Sequence, residues 1–480
     1  MRSPTRLRFA VAVWVLFTLF AGEAIRNTLS WYGFAVWGVL VAVVLAVVGV
    51  RMWRGRGDAQ GGDQPRGRVI SRRPLRGLLN HREGRPLDRR GGRLPLLLLG
   101  AFLGWAVVSL VWSAYPLATV LAIVVLGATT GAAAVLYAWI GWSALLRALA
   151  VALQAILALS LLFEAVVAGI LRRPILPVFP IDVDPGEKVP QAFYWSRALL
   201  FEGGRIQGIL GNANLLGFVA LLALIVTGCL LAARRVRPGL GWAGVALAAL
   251  MLVLTRSSTV LVATAACAVT LGLMLLWRSS PARRIPFWLA VAALAVLGAL
   301  VLAAQRTLLP LLGKSEDLTG RFDIWSAVLG LVGERPVLGW GWMSYWVPGV
   351  EPYEGLAVRN GVEYLQAHNA FLDVTVQLGV LGLLLFLALL GALIARIGRR
   401  GVPAVGSSWL LGRVLPALLL TALLTQALAE SRLLVEGNWA LLVLLTLAVS
   451  GIPASRAAGA AAEPTAAAPP IGEANRRGPR

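Results

Sequence analysis

Residues 364–395 read YLQAHNAFLDVTVQLGVLGLLLFLALLGALIA. The stretch opens polar, with His368, Asn369, Asp373 and Gln377, and then becomes almost wholly apolar. Coiled as a helix, the part near 370–395 is long enough to cross roughly 30 Å of hydrocarbon. Similar runs lie near 9–22, 31–50, 94–112, 117–141, 146–170, 208–232, 239–255, 257–277, 286–304, 409–428 and 438–452. A backbone in lipid must satisfy its own hydrogen bonds, which a helix does within one segment. The fold class is therefore all-α: a polytopic transmembrane helical bundle of about 12 helices. A length of 480 residues would otherwise suggest several soluble domains, but 58% of the chain is apolar and the spans recur throughout. Residues 1–452 read as one membrane-embedded unit.

The formal charge of +22 could point to nucleic acid, but its distribution says otherwise. With the N-terminus inside, 30 of the 44 Lys and Arg fall on inner pieces, and only six of the 22 acids do. That bias is the positive-inside pattern. It predicts both termini in the cytoplasm and no nucleic-acid partner. No small-residue cleavage site follows the first span, so it reads as a retained helix. Residues 51–93, rich in Arg, Gly and Pro, and the tail 453–480 are expected to be unstructured. The basic inner loop suits either anionic membrane lipids or plain solvent. Two outer segments, 171–207 and 305–369, are long and mixed in composition, which is where function concentrates. Within the second, an amphipathic helix is expected over about 322–332, ending before Pro336. Cys229 and Cys267 both sit in apolar runs and read as packing residues. Metal-ligand spacing is absent from the sequence, so no metal or cofactor is expected.

This topology puts four cationic or titratable residues at the outer face: Arg205, Arg256, Arg321 and His368. Arginine offers a permanent charge and a planar fork of donors that suits phosphate. Taken singly, each arginine reads equally as an interfacial side chain reaching for water. Arg256 stands out, with apolar spans on both sides and only Ser257 and Ser258 beside it. His368 can take a proton from a hydroxyl, or it can simply begin a polar helix end. Asn369, Asp373 and Gln377 share i, i+4 spacing and form one polar stripe. Asn212 and Asn214 can donate to a sugar or phosphate, or bond between helices. Phe193, Tyr194, Trp195, Trp340 and Trp342 can stack on sugar faces or populate the membrane interface. Arg432, near Glu430 and Glu436, reads as an outer-loop ion pair.

Three motifs in order resemble the O-antigen ligase and polymerase family of membrane glycosyltransferases. They are Arg205 with Gly208, Asn212 and Asn214; Arg321 with Trp325, Pro336 and Gly339-x-Gly341; and His368-Asn369 followed nine residues later by Gly379-x-x-Gly382. Arg256 before Ser257 resembles a further family pair, here in reversed order. The resemblance implies an undecaprenyl-pyrophosphate-linked glycan donor, an acceptor hydroxyl on a glycan, lipid or protein, and metal-free transfer with inversion. It implies a site on the outer face of the bacterial cytoplasmic membrane. It assigns His368 as the base and Arg205 and Arg321 to the pyrophosphate. Arg256, Asn212, Asn214, Asn369, Asp373 and Trp325 are the expected substrate-binding residues, Asp373 also serving to orient His368. A polymerase of the same family is the first alternative, and a transporter or flippase of a lipid-linked glycan the second.

Overall fold

The computed structural model describes residues 4–61, 92–181, 188–279, 319–359, 362–399 and 406–451. The expected span near 286–304 and the tail from 453 lie outside the described residues, as does 62–91 of the basic loop. The described chain is helical, apart from loops and a two-residue antiparallel ribbon pairing Val358–Arg359 with Val362–Glu363. Eight of its helices are long and apolar enough to cross a membrane. It is a polytopic helical membrane protein.

The helices are α1 (Pro4–Phe20), α2 (Gly22–Gly61), α3 (Leu94–Val108), α4 (Pro116–Val166), α5 (Ala213–Ala232) and α6 (Pro238–Thr255). They continue as α7 (Ser258–Ser279), α8 (Thr319–Glu334), α9 (Ala370–Arg399), α10 (Leu415–Ala427) and α11 (Glu436–Ser450). Helix α2 runs on through residue 61, so the start of the basic loop is helical where the composition suggested none. Two expected spans fuse into α4 and the π-turn after it. The fused stretch would measure roughly 80 Å if straight, far more than a bilayer core. It is broken at Gly141, whose φ of 73° and ψ of 162° leave helical space. Helix α8 realises the amphipathic helix expected over 322–332.

Helix α4 is central, packing against α1, α5 and α11, while α5 packs on α6 and α9 on α3. Helix α5 is largely enclosed, with Leu216, Ala220, Leu222, Ala223 and Val226 fully buried. By contrast, α2 turns Val36, Val39, Val43 and Val50 outward at helical spacing. Such a stripe is unfavourable in water and natural against lipid.

A second, smaller core lies under the segment before α9. Ile324 and Val328 of α8 pack there with Met343, Trp346, Tyr353 and Ala367. Trp346 stacks on Tyr353 with centroids 4.9 Å apart, and the Tyr353 hydroxyl meets that of Tyr115 at 2.9 Å. This buried packing makes the described segment before α9 a rigid support rather than a tether.

The loop is joined to α9 through its glycines. Gly379 adopts φ 69° and ψ −174°, which interrupts the helix and frees carbonyls of the turn before it. Trp340 N donates to Val376 O at 3.0 Å, Gly341 N to Gln377 O at 2.8 Å, and Trp105 Nε1 to Leu378 O at 3.1 Å. Val380 N in turn donates to Pro336 O at 2.8 Å. A Cβ on Gly379 would overlap the Val337 carbonyl. Gly339-x-Gly341 and Gly379 are thus two halves of one backbone joint.

Candidate functional site

Glu430 sits just beyond α10 and is almost fully buried. Its Oε1 accepts from Asn214 Nδ2 at 3.1 Å and from Arg321 Nη2 at 3.3 Å. Its Oε2 lies 3.0 Å from His368 Nδ1 and accepts from Gln366 Nε2 at 3.4 Å. Asn214 extends the network, because its Oδ1 accepts from Arg205 Nη2 at 2.9 Å and from Ser257 Oγ at 2.8 Å. Residues scattered from 205 to 430 are thereby held in one hydrogen-bonded set.

Electrostatics explain why a carboxylate can be buried there. Burial by itself would raise the Glu430 pKa. The hydrogen bond and charge of His368, then Arg321 and Asn214, outweigh it and hold the group below the ordinary carboxylate range. When the imidazole is neutral, a carboxylate at this distance favours the tautomer with its proton on Nδ1. Nε2 is left with no hydrogen-bond partner among the described residues, and its lone pair is available to a proton.

Each member of the set is positioned by its surroundings. Arg205 lies in a loop pinned by the buried Glu164 of α4, which accepts from Ser196 Oγ at 2.7 Å, Gln207 N at 2.9 Å and Gly208 N at 2.7 Å. Arg205 has only neutral acceptors, Asn214 Oδ1 and Thr255 O, so its charge is not cancelled by a paired acid among the described residues. Arg197 lies beside it, donating from Nη2 to Arg205 O at 3.5 Å. Burial, then the Arg205 charge, lower the Arg197 pKa against the pull of Glu164. Arg256 ends α6 in left-handed conformation at φ 45° and is exposed, with its guanidinium near Gly203 of the Arg205 loop. It stands beside the network and outside its hydrogen bonds, while its neighbour Ser257 is a member.

His368 is itself left-handed, with φ 51°, a conformation for which His is among the enriched types. The peptide before it is gripped on both sides. Ala367 N donates to Asp373 Oδ2 at 3.0 Å, and Ala367 O accepts from Trp325 Nε1 at 3.0 Å. Asp373 also accepts from Trp346 Nε1 at 2.8 Å and from the Ser431 hydroxyl. It is fully buried, and it contacts the peptide before His368 rather than the imidazole. Glu430 holds the ring instead. Trp325 likewise spends its N–H on the loop. Gln377, fully buried, accepts from Met343 N and Ser344 N at 2.9 and 2.8 Å. The polar stripe of α9 is therefore a strut for the loop, because buried donors of an irregular backbone need fixed acceptors.

Asn212 and Asn369 both cap helices. Asn212 Oδ1 accepts from Asn214 N and Leu215 N, and Asn369 Oδ1 from Phe371 N and Leu372 N. Trp342 is fully buried, and Arg335 covers one face of the half-buried Trp340 at 4.1 Å. Arg432 pairs with Glu23 and Glu436, as an ion pair was expected to do, but Glu430 is not part of that pair. Sequence reasoning missed Glu430 as the hub, together with Gln366 and Arg197. The available signal was an acid at the end of a span, where a buried charge needs partners.

One family model, described as O-antigen ligase, matches residues 243–387. The exopolysaccharide production protein ExoQ of Rhizobium meliloti (strain 1021) is 31% identical over 197 residues, which cover 37% of this chain and 43% of that protein. The match thus spans less than half the length of that relative. Both findings support the O-antigen ligase resemblance read from the motifs. Arg256, Arg321, Trp325, His368, Asn369 and Asp373 fall inside the matched segment. Arg205, Asn212, Asn214 and Glu430 fall outside it, and the geometry joins Arg205, Asn214 and Glu430 to it.

Proposed function

We propose that this chain, similar to the O-antigen ligases over residues 243–387, transfers a glycan from a polyprenyl pyrophosphate to an acceptor hydroxyl at the membrane surface. The observation that carries the reading is the single carboxylate Glu430 binding both His368 and Arg321, with Arg205 tied in through Asn214. It supports one site holding a base and two cations. In the reaction, His368 Nε2 removes the acceptor proton as the hydroxyl oxygen attacks the anomeric carbon. The bond from that carbon to the pyrophosphate oxygen breaks, and the lipid pyrophosphate leaves as an anion. Arg321 and Arg205 stabilise that developing charge. Glu430 stabilises the imidazolium, the part a buried carboxylate plays behind a catalytic histidine. Inversion follows if the attack comes opposite the leaving group. The arginines supply the charge that a metal would otherwise provide.

The proposed setting is the outer face of a bacterial cytoplasmic membrane, with both termini inside and undecaprenyl as the lipid. Residues 1–452 would form the transfer unit and 453–480 a cytoplasmic tail. A polymerase, whose acceptor is another lipid-linked glycan, uses the same chemistry. The name of the ExoQ relative favours exopolysaccharide as the product class.

The test is purified chain in lipid nanodiscs with a lipid-pyrophosphate glycan and candidate acceptors. Release of polyprenyl pyrophosphate with formation of glycosylated product, abolished in His368→Ala, is the expected result. Movement of intact donor across vesicles without cleavage would replace this reading with transport.

A further inference from the structure

Beside the Glu430 network lies a cavity of about 290 Å³ that the proposed chemistry does not use. Its walls come from the start of α2, the loop before Arg205 and the cap of α5. Trp31 and Phe179 form one side, with centroids 6.1 Å apart, and Arg26 covers both rings at 4.7 and 5.4 Å. Tyr194 lies in the lining as well. Glu23 is fixed between Arg26 and Arg432, so the charged groups are oriented and mutually neutralised. Arg26 Nε is buried with no acceptor, and Asn212 Nδ2 has none among the described residues, since the Asn212 oxygen is the part used as helix cap.

We infer that this cavity binds a glycan segment of donor or acceptor. Aromatic faces accept the C–H faces of sugar rings, and fixed planar polar groups read hydroxyls at their edges. An acyl chain would leave those charged groups unsolvated. A pyrophosphate would meet Glu23 here, whereas Arg205, Arg197 and Arg256 offer less compensated charge nearby. The cavity volume is at the small end of ligand sites, the scale of a short saccharide. Position supports the assignment, since Asn212 and Arg432 line the cavity while Asn214 and Glu430, each two residues away, belong to the network. A glycan reacting at His368 would extend into it. The inference rests on the glycan-transfer reading for its biological sense, but its binding test is separate.

The probe is a tritium-labelled oligosaccharide released from the producing cell's own surface polysaccharide, measured by equilibrium dialysis against the full chain in nanodiscs. Trp31→Ala and Tyr194→Ala should each weaken binding about tenfold, the loss of one good contact. Trp31→Phe, which keeps an aromatic face, should stay within about threefold of wild type. Trp242→Ala, on the exposed side of α6, should bind as wild type does. Absence of saturable binding, or wild-type binding by both cavity alanine variants, overturns the cavity inference, whatever transfer activity remains. If the aromatic variants lose binding while wild type never releases lipid pyrophosphate from a lipid-linked donor, the cavity stands and the transfer reading falls.

Discussion

His368 Nδ1 lies 3.0 Å from Glu430 Oε2, and the other oxygen of the same carboxylate accepts from Arg321 and Asn214. One buried carboxylate therefore holds both the imidazole and a cation. Replacing it by Glu430→Gln preserves size but cannot hold an imidazolium. The prediction is a fall in kcat of about 10²–10⁴, with KM changed far less. Glu430→Ala should additionally cost about 1–3 kcal/mol of stability, since it leaves the partly buried Arg321 and Asn214 without their acceptor. Steady-state turnover and thermal unfolding of both variants test this, and full kcat in Glu430→Gln would remove Glu430 from the mechanism.

The same carboxylate predicts a pH dependence of stability. Its pKa is lower in the folded protein than its ordinary 4.5. The unfolded chain therefore binds the proton more readily, and the stabilisation is complete above that ordinary value. It is lost as pH falls from about 4.5 through the lower folded value. Melting temperatures from pH 7 down to 3 should thus drop below about 4.5, and the Glu430→Gln curve should drop less there. Parallel curves would mean that Glu430 is not ionised in the fold.

Gly379→Ala should be among the most damaging small changes in the chain. The position combines a φ of 69° with a Val337 carbonyl where the new methyl would sit. A loss of about 3 kcal/mol or more is expected, because the joint that supports the His368 loop must open. Gly391, on the same helix, has nothing within 4 Å of where an added methyl would sit. Gly391→Ala should therefore be neutral or stabilising by up to about 1 kcal/mol. Thermal unfolding of the two variants side by side decides it, and equal melting temperatures would refute the joint.

The fold was readable because lipid imposes a length and an apolar composition that survive without tertiary knowledge. Eleven of the twelve expected spans coincide with described helices or parts of them. What the pattern could not show was where breaks fall, since Gly141 and Gly379 look like any other membrane glycine until a backbone approaches them. At the site, His368, Arg321 and Arg205 were legible as rare polar residues on one face. Glu430 was not, because its nearest cation in sequence is Arg432. Only packing reveals that Arg432 turns to Glu23, leaving Glu430 for His368. Asp373 was legible as important but not as a backbone anchor, because sequence spacing cannot say whether a side chain reaches the ring or the peptide.

The three best-placed arginines should separate kinetically. Arg321 touches Glu430, and Arg205 reaches the same network through Asn214, so both are held for the moment of charge development. Alanine at either should lower kcat about 10²–10³-fold, the usual cost of losing a preorganised donor to a developing anion. Arg256 is exposed and outside the network, so it can attract an anionic donor without being fixed on the leaving group. Arg256→Ala should raise KM by about three- to tenfold with kcat within about twofold. Its effect should shrink between about 50 and 300 mM salt, because an exposed charge is screened over about a Debye length. Steady-state kinetics with a lipid-pyrophosphate donor at the two salt concentrations make the comparison. A kcat loss in Arg256→Ala as deep as that of Arg321→Ala, and insensitive to salt, would place Arg256 on the leaving group and remove the distinction drawn between them.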